Sequence, residues 1–192
     1  EKACYDIYEA CKNESVDLLI NNAGFGNFGA FDETDLDKDM ELIDVNIRAV
    51  HILTKLFLKD FKKRNSGTIL NVASSAAFLP GPLLSSYYAS KAYVLRLTEA
   101  IHEELRQEKS KVKICALCPG PVNTEFNEVA NVKFNIGSLS SEYVAKYAVE
   151  KTLRGKLVIV PGVQMKIIRI LDKITPNCLL LPISYHIQRR RK

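Results

Sequence analysis

The feature of this sequence that most constrains its fold is the alternation of short apolar runs with longer amphipathic segments. Apolar runs of strand length occupy residues 16–20, 67–74, 112–118 and 156–162. Strands separated by helix-length segments pair in parallel, because each crossover helix returns the chain to the same end of the sheet. The alternation therefore predicts an α/β fold with one parallel sheet and helices on both of its faces.

Apolar residues with helical spacing fill the intervals between these runs. From Leu36 they recur in steps of three and four as far as the polar sequence KKRNSG, which predicts one long amphipathic helix. Either Ser140 or Ser141 could cap the last helix of the body. The other predicted helices cover residues 2–12, 87–107 and 141–153.

The composition predicts one globular domain followed by a basic tail. With 47% hydrophobic and 26% charged residues, the chain can build a core without disulfides or a metal. Residues 163–192 contain seven Lys and Arg and one Asp, a net charge of +6, whereas the whole chain carries +5. Residues 1–162, the predicted domain, therefore carry −1. A domain with a net charge of −1 is not expected to bind nucleic acid.

Neither the cysteines nor the histidines form a pattern typical of a reactive site. Cys115 and Cys118 form a C-x-x-C motif, but a zinc site of this kind would need a second close pair. We expect core thiols, no metal, and a reducing, cytoplasmic compartment. His51, His102 and His186 have no neighbouring acid, cysteine or serine arrangement that suggests a triad or a metal site.

Small and polar residues follow three of the predicted strands. They are NNAG at 21–24, ASS at 73–75 and PGPVNT at 119–124. In open parallel sheets, ligands bind outside the carboxyl ends of the strands. Tyr87 and Lys91 lie one turn apart at the start of a helix, so both side chains can address the same point. The sequence therefore predicts a polar site at this edge of the sheet.

These motifs resemble, in order and spacing, the short-chain dehydrogenase/reductase family. The resemblance rests on NNAG, on Ser74 thirteen residues before Tyr87, on the Y-x-x-x-K motif that ends at Lys91, and on PGPVNT. It covers residues 1–162 and extends poorly into the tail. It implies a Rossmann-like doubly wound parallel sheet, and hydride transfer between NAD(P)(H) and a small-molecule carbonyl or secondary alcohol.

The resemblance also implies catalytic roles for four residues. Tyr87 would be the general acid/base, Lys91 its partner and ribose clamp, and Ser74 the hydroxyl that orients the substrate. Asn46 would anchor a water molecule of a proton relay. An ammonium group and a positive nicotinamide ring favour phenolate, so we expect the pKa of Tyr87 to lie below its ordinary value of about 10.

Each of these roles has a purely structural alternative. Tyr87 and Lys91 could form a partly solvated helix face, and Asn46 could only bond a neighbouring backbone group. Ser75, twelve residues before Tyr87, competes with Ser74 for the substrate-orienting role. Adjacent residues of a strand face opposite sides, so we expect one of the two serines to serve, and the spacing favours Ser74.

The cofactor side of the site is assigned by the same resemblance. Asn21 and Gly24 would shape the nicotinamide-ribose side of the cleft, together with Tyr87 and Lys91. In the third motif, Pro119, Val122 and Thr124 would contact the carboxamide and the phosphate. The implied cofactor is NADP or NAD, with NADP preferred. Alternatively, these two motifs are only a turn and a loop.

The glycine-rich segment that cradles the pyrophosphate in this family is not found in the sequence. GFGNFG at 24–29 matches G-x-G-x-x-G by letter, but it is followed by AFDETDLD and not directly by a helix. The chain also begins without a start methionine or a signal sequence. We therefore interpret it as a fragment whose sheet is incomplete at the N-terminus.

Two classes of function compete at this stage. The chain is either an oxidoreductase, which we expect to be a homo-oligomer, or a truncated non-catalytic scaffold for protein or membrane association. Within the tail, residues 164–175 place apolar side chains on one broad helical face and basic ones elsewhere. This pattern predicts either weak peripheral contact with an anionic membrane or a helix that packs over the substrate cleft.

Overall fold

The structure, a computed structural model, describes residues 1–124 and 138–189. Its helices are α1 (Lys2–Ala10), α2 (Leu36–Ile43), α3 (Val50–Arg64), α4 (Ser85–Gln107), α5 (Ser141–Leu153), α6 (Val163–Ile174) and α7 (Asn177–Arg189). Its strands are β1 (Leu18–Asn21), β2 (Thr68–Val72), β3 (Lys113–Leu117), β4 (Val122–Asn123), β5 (Leu139–Ser140) and β6 (Val158–Ile159). A π-helical turn (Asp44–Ala49) joins α2 to α3, and a 3₁₀ turn (Ser75–Phe78) follows β2.

The main sheet is parallel and has four strands in the order β1-β2-β3-β6. Leu18 of β1 pairs with Thr68 of β2, which in turn pairs with Lys113 of β3. Strands β4 and β5 form a separate parallel pair beyond the end of β3. The predicted α/β class and the predicted alternation of strands and helices are confirmed.

Helices cover both faces of this sheet, because successive strand residues point in opposite directions. On one face, Ile69 and Ile114 pack with Phe57 and Phe61 of α3. On the other face, the strand residues Leu70, Cys115, Leu117 and Ile159 pack against Val144 and Ala148 of α5. The sheet is therefore doubly wound, and its two faces carry separate apolar clusters.

The ends of the helices follow ordinary capping chemistry. The Asp35 side chain accepts a hydrogen bond from the backbone N–H of Lys38 at 3.1 Å, which caps α2. Ser140 accepts from the N–H of Tyr143 at 3.2 Å, so it is Ser140 rather than Ser141 that caps α5. Asn65 ends α3 in the left-handed conformation, with φ of 49°.

Strand β1 forms one edge of the sheet. Its Ile20 is in register with Leu70 of β2. Leu70 is only 2% exposed beneath α5, whereas Ile20 is 46% exposed. The helical layer on this face therefore covers β2 and stops short of β1.

The predicted long helix after Leu36 is present but is not uniform. α2 and α3 are joined through the π turn, which includes Asn46. A π turn closes wider backbone rings than an α-helix, and such turns are frequent at functional sites. The apolar steps of three and four in the sequence do not reveal this change.

The tail is helical and is attached to the body. Met165 of α6 and Ile168 belong to an apolar cluster with Val94 and Val158. In α7, Ser184 donates a hydrogen bond to the carbonyl oxygen of Pro80 at 2.8 Å. Among the helices within the described residues, none is both long enough and apolar enough to cross a membrane.

Candidate active site

A cavity of about 450 Å³ opens at the carboxyl ends of β2 and β3. Its walls come from all three motifs that the sequence analysis singled out, and from the first two turns of α4. Parallel topology explains this convergence, because the ends of neighbouring parallel strands share one edge of the sheet. The lining residues from the predicted site are Gly24, Ser74, Tyr87, Lys91, Pro119, Val122 and Thr124.

Tyr87 is a half-buried tyrosine that lines this cavity. Burial raises its pKa to about 12, and a hydrogen bond with the Ser74 side chain lowers that value only in part. The expectation of a pKa below about 10 is therefore wrong for this state of the site, because desolvation outweighs the favourable contacts. The phenol is neutral at pH 7 and can donate its proton.

Ser74 is the serine that contacts Tyr87. β2 ends at Val72, so neither Ser74 nor Ser75 lies in a strand, and the argument from strand alternation does not apply. Ser74 is instead the N-cap of the 3₁₀ turn, and its hydroxyl accepts a hydrogen bond from the N–H of Ala76 at 3.1 Å. Both serines line the cavity, and the contact with Tyr87 distinguishes Ser74.

Lys91 lies one turn beyond Tyr87 and is 5% exposed. Its ammonium donates to the carbonyl oxygen of Val72 at 3.0 Å and lies 5.8 Å from the centre of the Tyr87 ring. Burial lowers its pKa to about 8. At pH 7 the side chain is still predominantly cationic, so it supplies a positive charge to the cavity.

Asn46 lies behind the cavity and is 0% exposed. Its amide donates to the carbonyl oxygen of Phe25 at 2.9 Å and to Ser90 at 3.0 Å, and it accepts from the N–H of Phe25 at 3.1 Å. The amide therefore connects the loop after β1, the π turn and α4. These bonds match the structural alternative for Asn46 and leave the water-anchoring role as a proposal.

Gly24 separates Asn46 from Lys91 at the cavity wall. A Cβ atom at Gly24 would lie 2.9 Å from Asn46 Oδ1 and 3.0 Å from Lys91 Nζ. A side chain here would have to displace Asn46 or Lys91, so the position favours glycine. Gly24 and the Lys91 ammonium both line the cavity, and a polar ligand with hydroxyl groups, such as the nicotinamide-ribose end of NAD(P), fits the chemistry of this wall.

Asn21 is not brought to the cavity. Its side chain is 7% exposed and donates to Thr54 at 3.0 Å and to Asn71 at 2.8 Å. Asn71 continues this buried network to Thr98 of α4 at 3.0 Å. Asn21 thus ties β1 to its neighbours, and it is the next residue, Asn22, that lines the cavity.

Tyr88 and Gln188 are site residues that the sequence analysis missed. Tyr88 lines the cavity beside Tyr87, and the amide of Gln188 from α7 donates to the Tyr88 hydroxyl. Gln188 is 1% exposed in a tail that looked basic and solvated in sequence. A glutamine directly before a run of arginines gives no signal of such a contact.

The C-x-x-C motif belongs to the core rather than to the site. Burial raises the pKa of Cys115 to about 11 and that of Cys118 to about 12. Neither thiol is therefore activated at neutral pH. Across 1–124 and 138–189 there is no group of three or more His, Cys, Asp or Glu side chains placed to hold a metal ion. The GFGNFG sequence lies in the loop that precedes α2 and is not followed directly by a helix, so it matches the glycine-rich motif in its letters only.

Comparison with known proteins agrees with this geometry. The family model described as short chain dehydrogenase matches residues 1–133. The chain belongs to the short-chain dehydrogenase family.

Three similar proteins illustrate the relationship. Dehydrogenase/reductase SDR family member 4 from Bos taurus is 38% identical over 118 residues, which cover 59% of this chain and 40% of that protein. Estradiol 17-beta-dehydrogenase 11 from Mus musculus is 30% identical over 192 residues, covering 95% of this chain and 63% of that protein. A short-chain dehydrogenase from Sphingobium yanoikuyae, solved in complex with NADPH, is 25% identical with a TM-score of 0.76, covering 83% of this chain and 63% of that one. The chain thus spans between two fifths and two thirds of the length of these proteins.

Proposed function

We propose that this chain carries the catalytic part of an NAD(P)-dependent oxidoreductase that interconverts a carbonyl and a secondary alcohol. The observation that carries the proposal is the contact of Ser74 with the phenol of Tyr87, in a cavity that also holds the Lys91 ammonium. Membership of the short-chain dehydrogenase family supports it.

Tyr87 acts as the general acid in carbonyl reduction. Its pKa of about 12 keeps the phenol protonated at pH 7, so it holds a proton at Oη for the carbonyl oxygen. Ser74, which contacts the same phenol, donates a second hydrogen bond to that oxygen as negative charge develops. In alcohol oxidation the same groups act in reverse order.

Lys91 acts through its charge. Its ammonium stabilises the phenolate left after proton transfer, and it binds ribose hydroxyls on the Gly24 side of the cavity. When bound, a nicotinamide cofactor supplies or accepts the hydride. Asn46 holds the loop that contains Gly24 against α4 and anchors the water of a proton relay. Pro119, Val122 and Thr124 contact the carboxamide and the phosphate of the cofactor.

NADP and NAD are both candidate cofactors, and we prefer NADP. One similar short-chain dehydrogenase is solved with NADPH and another with NAD, which is consistent with either cofactor. We also propose, from the sequence alone, a cytoplasmic homo-oligomer. The alternative function, a scaffold without catalysis, would leave the convergence of Ser74, Tyr87 and Lys91 without a role.

The decisive experiment replaces Tyr87 with phenylalanine in the chain completed at its N-terminus to the length of its relatives. NAD(P)H oxidation is measured with a panel of ketones, and cofactor affinity is measured by fluorescence. We expect turnover to fall by about 10²- to 10⁴-fold, because the proton donor is removed, with little change in affinity.

The matched control is Tyr93→Phe. Tyr93 is on the same helix, but its hydroxyl bonds the His51 ring at 2.7 Å and does not line the cavity. The Tyr93→Phe variant should keep the turnover of the unmodified enzyme. A Tyr87→Phe variant as active as this control would exclude Tyr87 as the acid.

A further inference from the structure

The outer face of α6 is apolar. Five of its side chains recur at helical spacing and point away from the body: Val163 (69% exposed), Ile167 (52%), Ile170 (63%), Leu171 (50%) and Ile174 (72%). We call these five residues the α6 outer face. A helix on the surface of a globular protein normally turns such a stripe toward the core. In α6, other side chains of the helix already face the core.

The inner stripe of α6 fixes this orientation. Met165 is 7% exposed and packs in the core cluster, with Ile168 against the same cluster. Arg169 also points inward, with its guanidinium 5.4 Å from the centre of the Phe78 ring and 4.0 Å from the Glu99 carboxylate. The helix therefore cannot rotate to bury its outer face without releasing these contacts.

Helix α7, which follows α6 after two residues, also exposes apolar side chains. The buried side chains of α7 are polar. Ser184 donates a hydrogen bond to the carbonyl oxygen of Pro80, and Gln188 donates one to the hydroxyl of Tyr88. The exposed positions of α7 include Leu179 (57%), Ile183 (54%) and Ile187 (46%). This is the reverse of the distribution expected for a helix whose outer side faces water alone.

Basic side chains accompany this surface. Lys166 and Lys173 are both exposed and lie on one flank of the α6 outer face. From Val163 onward the chain carries a net charge of +6, while residues 1–162 carry −1. Long lysine side chains beside an apolar stripe can reach phosphate groups while the stripe enters the acyl boundary. Within the described residues 163–189 the net charge is +3, from Lys166, Arg169, Lys173 and Arg189 against Asp172.

We propose that α6 and α7 form a docking surface for an anionic membrane, with the α6 outer face inserted at the lipid interface. A second copy of this chain is disfavoured as the occupant, because a two-fold interface on this face would bring Lys166 and Lys173 of one copy near the same two lysines of the other. A strand added at the open edge of β1 would not cover this surface either, since β1 and β6 are at opposite edges of the sheet.

This position also suggests a substrate class, an inference that rests on the proposed function. Gln188 of α7 contacts Tyr88, which lines the cavity. The cavity is therefore adjacent to the C-terminal end of α7. A carbonyl or alcohol substrate that partitions into lipid would be available there at high local concentration.

Co-sedimentation with vesicles tests the docking surface without an activity readout, so its failure is distinguishable from failure of the proposed oxidoreductase. The 192-residue chain is mixed with phosphatidylcholine vesicles containing about 30% phosphatidylserine or none, in about 0.05 M or 0.5 M salt. We expect pelleting with the anionic vesicles at low salt and at least a tenfold weaker affinity, by rough estimate, at high salt or without phosphatidylserine.

Two variants locate the binding surface. The triple variant Ile167→Gln, Ile170→Gln, Ile174→Gln should lose vesicle binding by about tenfold or more, because these side chains supply the inserted area. The double variant Lys166→Gln, Lys173→Gln should lose about fivefold per lysine. All three isoleucines are exposed, so the fold should be retained, which circular dichroism checks.

The matched control replaces exposed apolar residues elsewhere, with Ile7→Gln, Phe31→Gln and Leu36→Gln, which are 51%, 71% and 72% exposed. It should pellet like the unmodified chain. Equal loss in the control and the triple variant, or no pelleting of the unmodified chain, would overturn the proposal. A triple variant that loses self-association but keeps vesicle binding would assign the surface to a second copy and overturn it as well.

Discussion

The side-chain amide of Asn46 donates a hydrogen bond to the hydroxyl of Ser90 at 3.0 Å, and Ser90 in turn donates to the carbonyl oxygen of Tyr87 at 2.7 Å. The π turn is thereby connected to the first turn of α4, where the candidate acid is located. Because Asn46 also pairs with both backbone groups of Phe25, one buried amide sets the relative positions of three segments around the cavity.

Replacing Asn46 with leucine should destabilise the protein by about 2–4 kcal/mol, because it leaves the backbone groups of Phe25 buried without their partner. Ser90→Ala, which removes the bonds of Ser90 to Asn46 and to Tyr87 but keeps both bonds to Phe25, should cost about 1 kcal/mol. Urea unfolding measures both values. Equal costs for the two variants would mean that the bonds to Phe25 contribute little.

Ser74→Ala should reduce kcat/KM of the N-terminally completed chain by about 10²-fold, because one hydrogen bond to the developing oxyanion is lost. The neighbouring variant Ser75→Ala is the matched control and should stay within about threefold of the unmodified enzyme. Steady-state kinetics with a ketone substrate measures both. The opposite ranking would transfer the orienting role to Ser75.

Lys91 should make stability depend on pH in the alkaline range. Burial lowers its pKa from 10.5 to about 8, so between these values the unfolded chain binds a proton that the folded chain does not. The contribution of Lys91 to the free energy of unfolding therefore rises as the pH increases from about 8 to 10.5. Relative to Lys91→Met, the unmodified chain should gain about 3 kcal/mol between pH 8 and 10.5, an order-of-magnitude value.

Urea unfolding of the unmodified chain and of Lys91→Met at several pH values measures this gain. Titrations common to both proteins cancel in the difference. Parallel stability profiles would mean that the Lys91 ammonium is better solvated than its 5% exposure indicates.

Asn71 joins β1, β2 and α4 through the buried network that includes Asn21 and Thr98. Asn71→Leu keeps the side-chain size but removes these bonds, and should cost about 2–4 kcal/mol in the free energy of unfolding. Gln107→Leu makes a similar change on the exposed face of α4 and should stay within about 0.5 kcal/mol. Similar costs for the two variants would show that the network is not a stabilising element.

Much of the scaffold was predictable because it depends on local patterns. The apolar runs located β1, β2, β3 and β6, and their parallel pairing followed from the helices between them. The approach of Tyr87 and Lys91 also followed from helix geometry alone. These features need only the spacing of residues near one another in the chain.

The features that could not be predicted depend on contacts between distant residues. The bond from Gln188 to Tyr88 joins residues 100 positions apart. The raised pKa of Tyr87 follows from desolvation of its phenol in the cavity, whereas the sequence shows only the nearby charge of Lys91. Asn21 and Asn22 are adjacent in sequence. Asn21 is the last residue of β1 and turns into the sheet, whereas Asn22 follows the strand and lines the cavity.

The π turn has a consequence for the whole of α3. The turn closes rings one residue wider than those of an α-helix, so it holds the equivalent of one inserted residue. The buried residues on either side of it, Leu42, Asn46, Val50, Phe57 and Phe61, follow one another in steps of four and seven, which share one side of a regular helix. Deleting one residue between Asp44 and Ala49 should therefore convert the π turn to regular α-helix and leave Phe57 and Phe61 packed against the sheet, whereas a deletion between Val50 and Phe57 would rotate both rings away by about 100°.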